Sequence, residues 1–206
     1  MSKLSPEHKF FDVSDYGRPI AKFCANILKN TSATPVQVTL VFGICGLCAV
    51  YGILHGFYVT AGLLLILKSI IDAIDGELSR LKKTPSYTGR YLDSIFDIIL
   101  NFLVLMAIGY VSQLSVWLIL MAFACLQLQG TLYNYYYVIL RNNSAGGDAT
   151  SQIFETKTPK ALPGEKQKTV NILFTLYIFL YGIFDRTIYA IDPHAYKMQS
   201  FPNSGS

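Results

Sequence analysis

The sequence predicts an all-α, polytopic integral membrane protein, a bundle of five apolar helices preceded by an amphipathic helix on the membrane surface. Three observations lead there. Hydrophobic residues make up 52% of the 206 residues and charged residues only 15%, with a mean hydropathy of +0.38, too apolar for a soluble domain of this length. Five stretches reach or approach the roughly 20 residues that a helix needs to cross the hydrocarbon layer, where every backbone N–H and C=O must be satisfied internally. Near the N-terminus, Ile20, Phe23, Cys24, Ile27 and Leu28 recur at i, i+3, i+4, i+7 and i+8 while Lys22 and Lys29 fall elsewhere, the pattern of a helix lying in the membrane plane.

The elements divide into a cytoplasmic N-terminus with its juxtamembrane helix (1–34), a transmembrane catalytic domain (35–190) and a polar tail (191–206). Glu7, Asp12, Asp15, Arg18 and Lys22 interrupt the first thirty residues, so no cleavable signal peptide is expected. Pro35 marks entry to the first span, and the spans are placed at about 36–55, 57–80, 90–111, 114–140 and 168–185. The first and fourth carry no Asp, Glu, Lys or Arg; the second and third carry aspartates. The tail is too polar for a sixth span. The stretch 141–167 is rich in Gly, Ser, Thr and Pro and longer than a simple connection needs, which suits a lid and a linker equally. Cys24, Cys45, Cys48 and Cys125 lack the spacing of a disulfide framework and read as packing residues. Tyr133, Tyr135, Tyr136 and Tyr137 read as an interfacial belt.

Lysine and arginine set the orientation. The N-terminus, the turn around 81–89 and the 141–167 connection hold almost all of them, leaving Arg186 and Lys197 for the opposite side. The positive-inside rule therefore puts the N-terminus and the turn between the second and third spans in the cytoplasm.

That turn sits inside "DAIDGELSRLKKTPSYTGRYLDSIFD", residues 72–97. Asp72 and Asp75 are i, i+3 near the end of the second span, and Asp93 and Asp97 are i, i+4 near the start of the third, so each pair shares a helix face and the two faces can meet. At 1.5 Å per residue Asp75 lies on the order of 9 Å below Leu81, in the inner leaflet and within reach of water and ions. Close carboxylates repel one another unless cations balance them. Two divalent ions would do so, and an oxygen-only ligand set favours Mg²⁺ or Mn²⁺ over zinc. Arg80 adds a planar donor fork for phosphate oxygens, and Gly76 and Gly89 permit close approach of a ligand. Metals beside a phosphate fork point to phosphoryl chemistry. A structural pairing, with Lys68 neutralising Asp72 one turn away, would account for two of these residues but not for the array.

The same stretch resembles the signature of the CDP-alcohol phosphatidyltransferase family, D-x-x-D-G-x-x-A-R-x(8)-G-x-x-x-D-x-x-x-D. Asp72, Asp75, Gly76, Arg80, Gly89, Asp93 and Asp97 match at every spacing, with Ser79 in the alanine place. "TPVQVT" is similar to the family's Pro-Asn-x-x-Thr at Pro35 and Thr39, with Val36 in place of Asn. The resemblance implies a surface helix and usually six spans, often in a homodimer, with the site open to the cytosol. It implies transfer of a substituted phosphate, most readily phosphatidyl from CDP-diacylglycerol, to an alcohol with release of CMP. Asp72, Asp75, Asp93 and Asp97 would hold the two ions, Asp97 would be the general base, and Gly76, Ser79, Arg80 and Gly89 would contact the CDP portion.

Polar stripes continue below the acids. Gln127, Thr131 and Asn134 recur on the fourth span, Lys168, Asn171 and Thr175 on the fifth, and Asn101 extends the Asp93–Asp97 face. Such stripes usually make interhelical hydrogen bonds, yet Gln127 and Asn134, with Arg141 and Lys168 for an acceptor phosphate, are the candidates for binding a small alcohol or alcohol phosphate. The basic residues would serve anionic membrane lipid equally well. No nucleic-acid partner is expected. Two other functions remain open on the residues: an intramembrane prenyltransferase acting on a lipid diphosphate, and a divalent-cation carrier lined by the same aspartates.

Overall fold

A computed structural model describes residues 16–143, 155 and 157–194. The described residues form six helices and no strands: α1 (Arg18–Leu28), α2 (Pro35–Leu54), α3 (Tyr58–Lys82), α4 (Tyr87–Val111), α5 (Val116–Asn143) and α6 (Gln167–Ile191). By length and composition α2, α4, α5 and α6 can cross a membrane. Helix α3 is as long as α4 but holds Lys68, Asp72 and Asp75 along its length. The fold is that of a polytopic helical membrane protein. Its surface agrees: Val59, Trp117 and Phe179 are 77–81% exposed, as suits side chains that face lipid rather than water.

Local chemistry sets the helix ends. Thr34 accepts from the Gln37 amide while the Gln37 side chain accepts from the Thr34 amide, a capping box that starts α2 with Pro35 in the first position. Gly56, at φ +80°, turns α2 into α3 within three residues. Lys83 takes the left-handed conformation that closes α3, its amide returning to the Arg80 carbonyl and that of Thr84 to the Ser79 carbonyl. Ser86 then caps α4 by accepting from the Gly89 amide at 2.8 Å.

Helix α2 packs closely on both α3 and α4, because small residues let the backbones approach. A Cβ added to Gly46 would lie 2.5 Å from Leu100 Cδ1, and one added to Gly43 would lie 2.9 Å from the Phe96 ring. Gly46→Val should therefore lower stability by about 1–3 kcal/mol through overpacking, whereas Gly62→Val, with nothing within 4 Å, should not. Thermal unfolding of the two variants in detergent tests this, and equal midpoints would contradict the close α2–α4 contact.

The amphipathic helix is present, but its stripe is divided. Ala21 and Ala25 are fully buried against Ile74 and Leu78 of α3, with Cys24 and Leu28 partly buried beside them. Ile20, Phe23 and Ile27 stay 51–68% exposed, free to enter a membrane surface. The alanines were not part of the apolar pattern, and it is their small size that admits α3. Lys82 secures the same end by donating to the Thr31 and Ala33 carbonyls at 2.8 and 2.6 Å.

Helix α6 extends past residue 185, and the charged Asp185 and Arg186 lie inside it. It packs Phe174 and Tyr177 on Tyr91 of α4, and the Tyr181 hydroxyl donates to the Ser94 carbonyl at 3.0 Å. At its far end, Tyr135 and Tyr136 of α5 donate to the Asp192 carbonyl and Oδ2 at 2.8 and 2.6 Å. Through these contacts α6 packs on both α4 and α5. Two of the tyrosines expected in an interfacial belt thus tie helices together, and Tyr135 is buried.

Candidate active site

The short turn between α3 and α4 folds the acidic pairs toward each other. Asp93 lies within hydrogen-bonding range of Asp72 and in the electrostatic field of Asp97 and Asp75. Its Oδ1 is buried and has no hydrogen-bond partner. Two unit charges 4 Å apart interact by about 4 kcal/mol at an effective dielectric of 20, so this arrangement is costly unless protons or cations balance it. The outer members have partners from other helices. Thr39 of α2, fully buried, hydrogen-bonds Asp75 Oδ2 and also reaches the Pro35 carbonyl. Lys68 pairs with Asp97 at 2.7 Å, and its Nζ stands 4.6 Å from the centre of the Phe42 ring. The lysine one turn before Asp72 therefore pairs across to α4 and not along its own helix.

Among the described residues no group of three or more Asp, Glu, His or Cys side chains is arranged to hold a metal ion. Asp72 and Asp93 nevertheless form an all-oxygen donor pair with one orphaned buried oxygen, which fits a hard divalent cation. Asp75 and Asp97 would join it by exchanging the Thr39 and Lys68 contacts for the ion.

The residues expected around CDP lie along the same turn. Arg80 pairs with Glu77 at 3.1 Å, and the Glu77 side chain is 3% exposed; the Arg80 Nε is buried without a hydrogen-bond partner. A Cβ on Gly76 would meet the Arg80 guanidinium at 3.6–3.7 Å, so the glycine leaves this fork room. Ser79 donates its hydroxyl to the Thr84 carbonyl at 3.1 Å, which shapes the turn. A Cβ on Gly89 would meet Ser86 Oγ at 3.3 Å and Val36 at 3.7 Å, placing this residue where α4 meets the start of α2.

Part of the 141–167 connection is docked here. Arg90 forms an ion pair with Glu155, whose other oxygen accepts from the Tyr91 hydroxyl. Glu165 accepts from Ser86 Oγ at 2.8 Å and the Thr88 amide at 2.7 Å through Oε1, and from the Leu162 amide at 3.1 Å through Oε2. Burial pushes the Glu165 carboxyl up, but the hydrogen bonds from Thr88, Ser86 and Leu162 outweigh it and hold the group below the usual range. A lowered value means this anchor contributes fully above about pH 4.3, the ordinary glutamate value, and is lost as pH falls through the lowered one. The remainder of the connection, residues 144–154 and 156, lies outside the described residues.

The acceptor candidates are less gathered. Gln127 and Thr131 are buried, and Gln127 Nε2 and Thr131 Oγ1 have no hydrogen-bond partner, whereas Asn134 and Lys168 are exposed. Asn171 accepts from the Gln167 side chain at 2.8 Å. The Arg141 side chain lies outside the described residues. Sequence reasoning missed Glu77, Glu155 and Glu165. Glu77 had a usable signal in its position three residues before Arg80; the other two are 65 and 77 residues from their α4 partners Arg90 and Thr88.

Residues 32–195 match the family model for CDP-alcohol phosphatidyltransferase. Over 148 residues, 70% of this chain, the sequence is 32% identical to the bifunctional IPC transferase and DIPP synthase of Thermococcus kodakarensis, and this alignment covers 32% of that protein. The chain thus spans about a third of the length of the curated relative it matches. With the aspartate spacing intact and the family model covering most of the chain, this protein belongs to the CDP-alcohol phosphatidyltransferase family.

Proposed function

We propose that this chain transfers a substituted phosphate, phosphatidyl from CDP-diacylglycerol, to an alcohol, releasing CMP at a site that faces the cytoplasm. The observation that carries the reading is the meeting of Asp72 with Asp93, flanked by Asp75 and Asp97, beside the half-buried Arg80 fork. A structural role would bear the repulsion among these acids without return, whereas a cation-assisted phosphotransfer uses it. The name of the archaeal relative, a transferase and a synthase, is in keeping with group transfer.

In this reading the acceptor oxygen bonds to the phosphorus that carries the lipid. The bond from that phosphorus to the bridging oxygen breaks, and CMP leaves. Divalent cations supply charge neutralisation at the diphosphate when bound. Asp72, Asp75 and Asp93, with Asp97, would hold them. Arg80, kept in place by Glu77, meets phosphate oxygens with its planar fork. Asp97 takes the proton of the acceptor hydroxyl as general base, which requires Lys68 to release it as the substrates settle. Gln127 and Arg141, with Asn134 and Lys168, are proposed to contact the acceptor.

The test is product analysis. Purified full-length chain, incubated in detergent with CDP-diacylglycerol, Mg²⁺ and a panel of alcohols and alcohol phosphates, should release CMP in step with one new phospholipid seen by mass spectrometry. Absence of both products across the panel, or divalent-ion flux in proteoliposomes without nucleotide chemistry, would remove the proposal.

A further inference from the structure

The first four amides of a helix have no partner within it. At α4 two of them are met in sequence. The Gly89 amide donates to Ser86 Oγ, whose own proton goes to Glu165, and the Thr88 amide donates to the same carboxylate oxygen. Glu165 is held in turn, because its amide donates to the Leu162 carbonyl at 3.0 Å while the Leu162 amide returns to its Oε2. An anion in this position also sits at the positive end of the helix dipole.

One turn deeper, Glu155 grips Arg90 and Tyr91. The side chains of this second pair are 20% and 4% exposed for Arg90 and Glu155, and the guanidinium lies 5.2 and 6.0 Å from the ring centres of Tyr91 and Tyr177. Two carboxylates from outside the family signature therefore bracket Gly89, the last residue before the turn that ends at Asp93.

We propose that Glu165 is a positioning residue for the donor: by clamping the first turn of α4 it sets where Gly89, and about 6 Å further along the helix Asp93, stand relative to Arg80 and Asp72. Glu155 supports the same turn from its other side. The inference rests on the proposed use of a CDP-linked donor. It also implies that the N-terminus of α4, already filled by Glu165, is not where the donor diphosphate binds.

The experiment uses the full chain in detergent with CDP and Mg²⁺ as the probe. Hydrogen–deuterium exchange over residues 86–93 reads the clamp, while calorimetric CDP affinity and donor KM against kcat read its consequence. Glu165→Ala should speed exchange at the start of α4 with little change elsewhere. It should weaken CDP binding and raise donor KM at least about tenfold, with a smaller effect on kcat. Glu165→Gln, which keeps an acceptor oxygen, should recover part of both. If the alanine variant does not fold, Glu165→Gln and Ser86→Ala carry the same comparison.

Unchanged exchange overturns the clamp, and faster exchange with unchanged CDP affinity and KM reduces Glu165 to a stabilising contact. A parent chain that neither binds CDP nor releases CMP is a failure of the proposed reaction, and it takes the donor role of Glu165 with it. The exchange result then still decides whether the clamp exists.

Discussion

Asp97→Asn is expected to reduce transfer by a factor on the order of 10²–10⁴, the range for removing a positioned general base, while leaving a folded protein. The amide has the shape of the carboxylate but cannot take the acceptor proton. It also leaves Lys68, 14% exposed at its side chain, without its ion-pair partner. Losing one member of a buried pair is destabilising, though the 35% exposure of Asp97 softens the loss through solvent screening. The double variant Lys68→Met with Asp97→Asn separates these effects, since it should regain thermal stability without regaining turnover. CMP release and unfolding midpoints measured on the same preparations are the check. An active single variant would remove Asp97 from the base role, and a double variant that recovers activity would show that the unpaired lysine had been the fault.

Removal of divalent cations should be as severe. Incubation with EDTA is expected to take CMP release to background, and Mg²⁺ or Mn²⁺ in excess should restore it. The physical reason is the Asp72–Asp93 contact, which places two acids together with one buried oxygen unpartnered. A ligand that binds only the folded state stabilises it by about 2.7 kcal/mol at one hundred times its dissociation constant, so saturating metal should also raise the unfolding midpoint. Asp93→Asn should blunt that rise. Direct Mn²⁺ binding followed by electron paramagnetic resonance gives a readout independent of turnover. Full activity in EDTA, or a midpoint that ignores both metal and the substitution, is incompatible with a cation held by these aspartates.

The two experiments address residues of unequal visibility in the sequence. The helix boundaries and the acidic pairs were readable because they depend on local rules. A span must be long enough for the hydrocarbon layer, and spacings of three and four residues put Asp72 with Asp75, and Asp93 with Asp97, on single faces. The short basic turn then obliges the pairs to approach each other. Thr39 was visible only as part of a motif, and its contact with Asp75 depends on α2 running antiparallel to α3.

The pairing of Lys68 with Asp97 could not be read in this way. Along the sequence its nearest acid is Asp72, and the choice was made by the packing of α3 and α4 on α2, which puts a carboxylate 29 residues away at 2.7 Å. Glu155 and Glu165 were hidden for the same reason inside a connection whose composition suits a linker as well as a lid. The course of α6 was hidden for another. In a bilayer an apolar face satisfies lipid and a neighbouring helix alike, so hydropathy located the helix, while the tyrosine hydroxyls at Ser94 and Asp192 established what it crosses. Short-range spacing is written into the order of residues; partnerships between distant side chains arise when helices pack, because proximity there depends on how whole elements are placed.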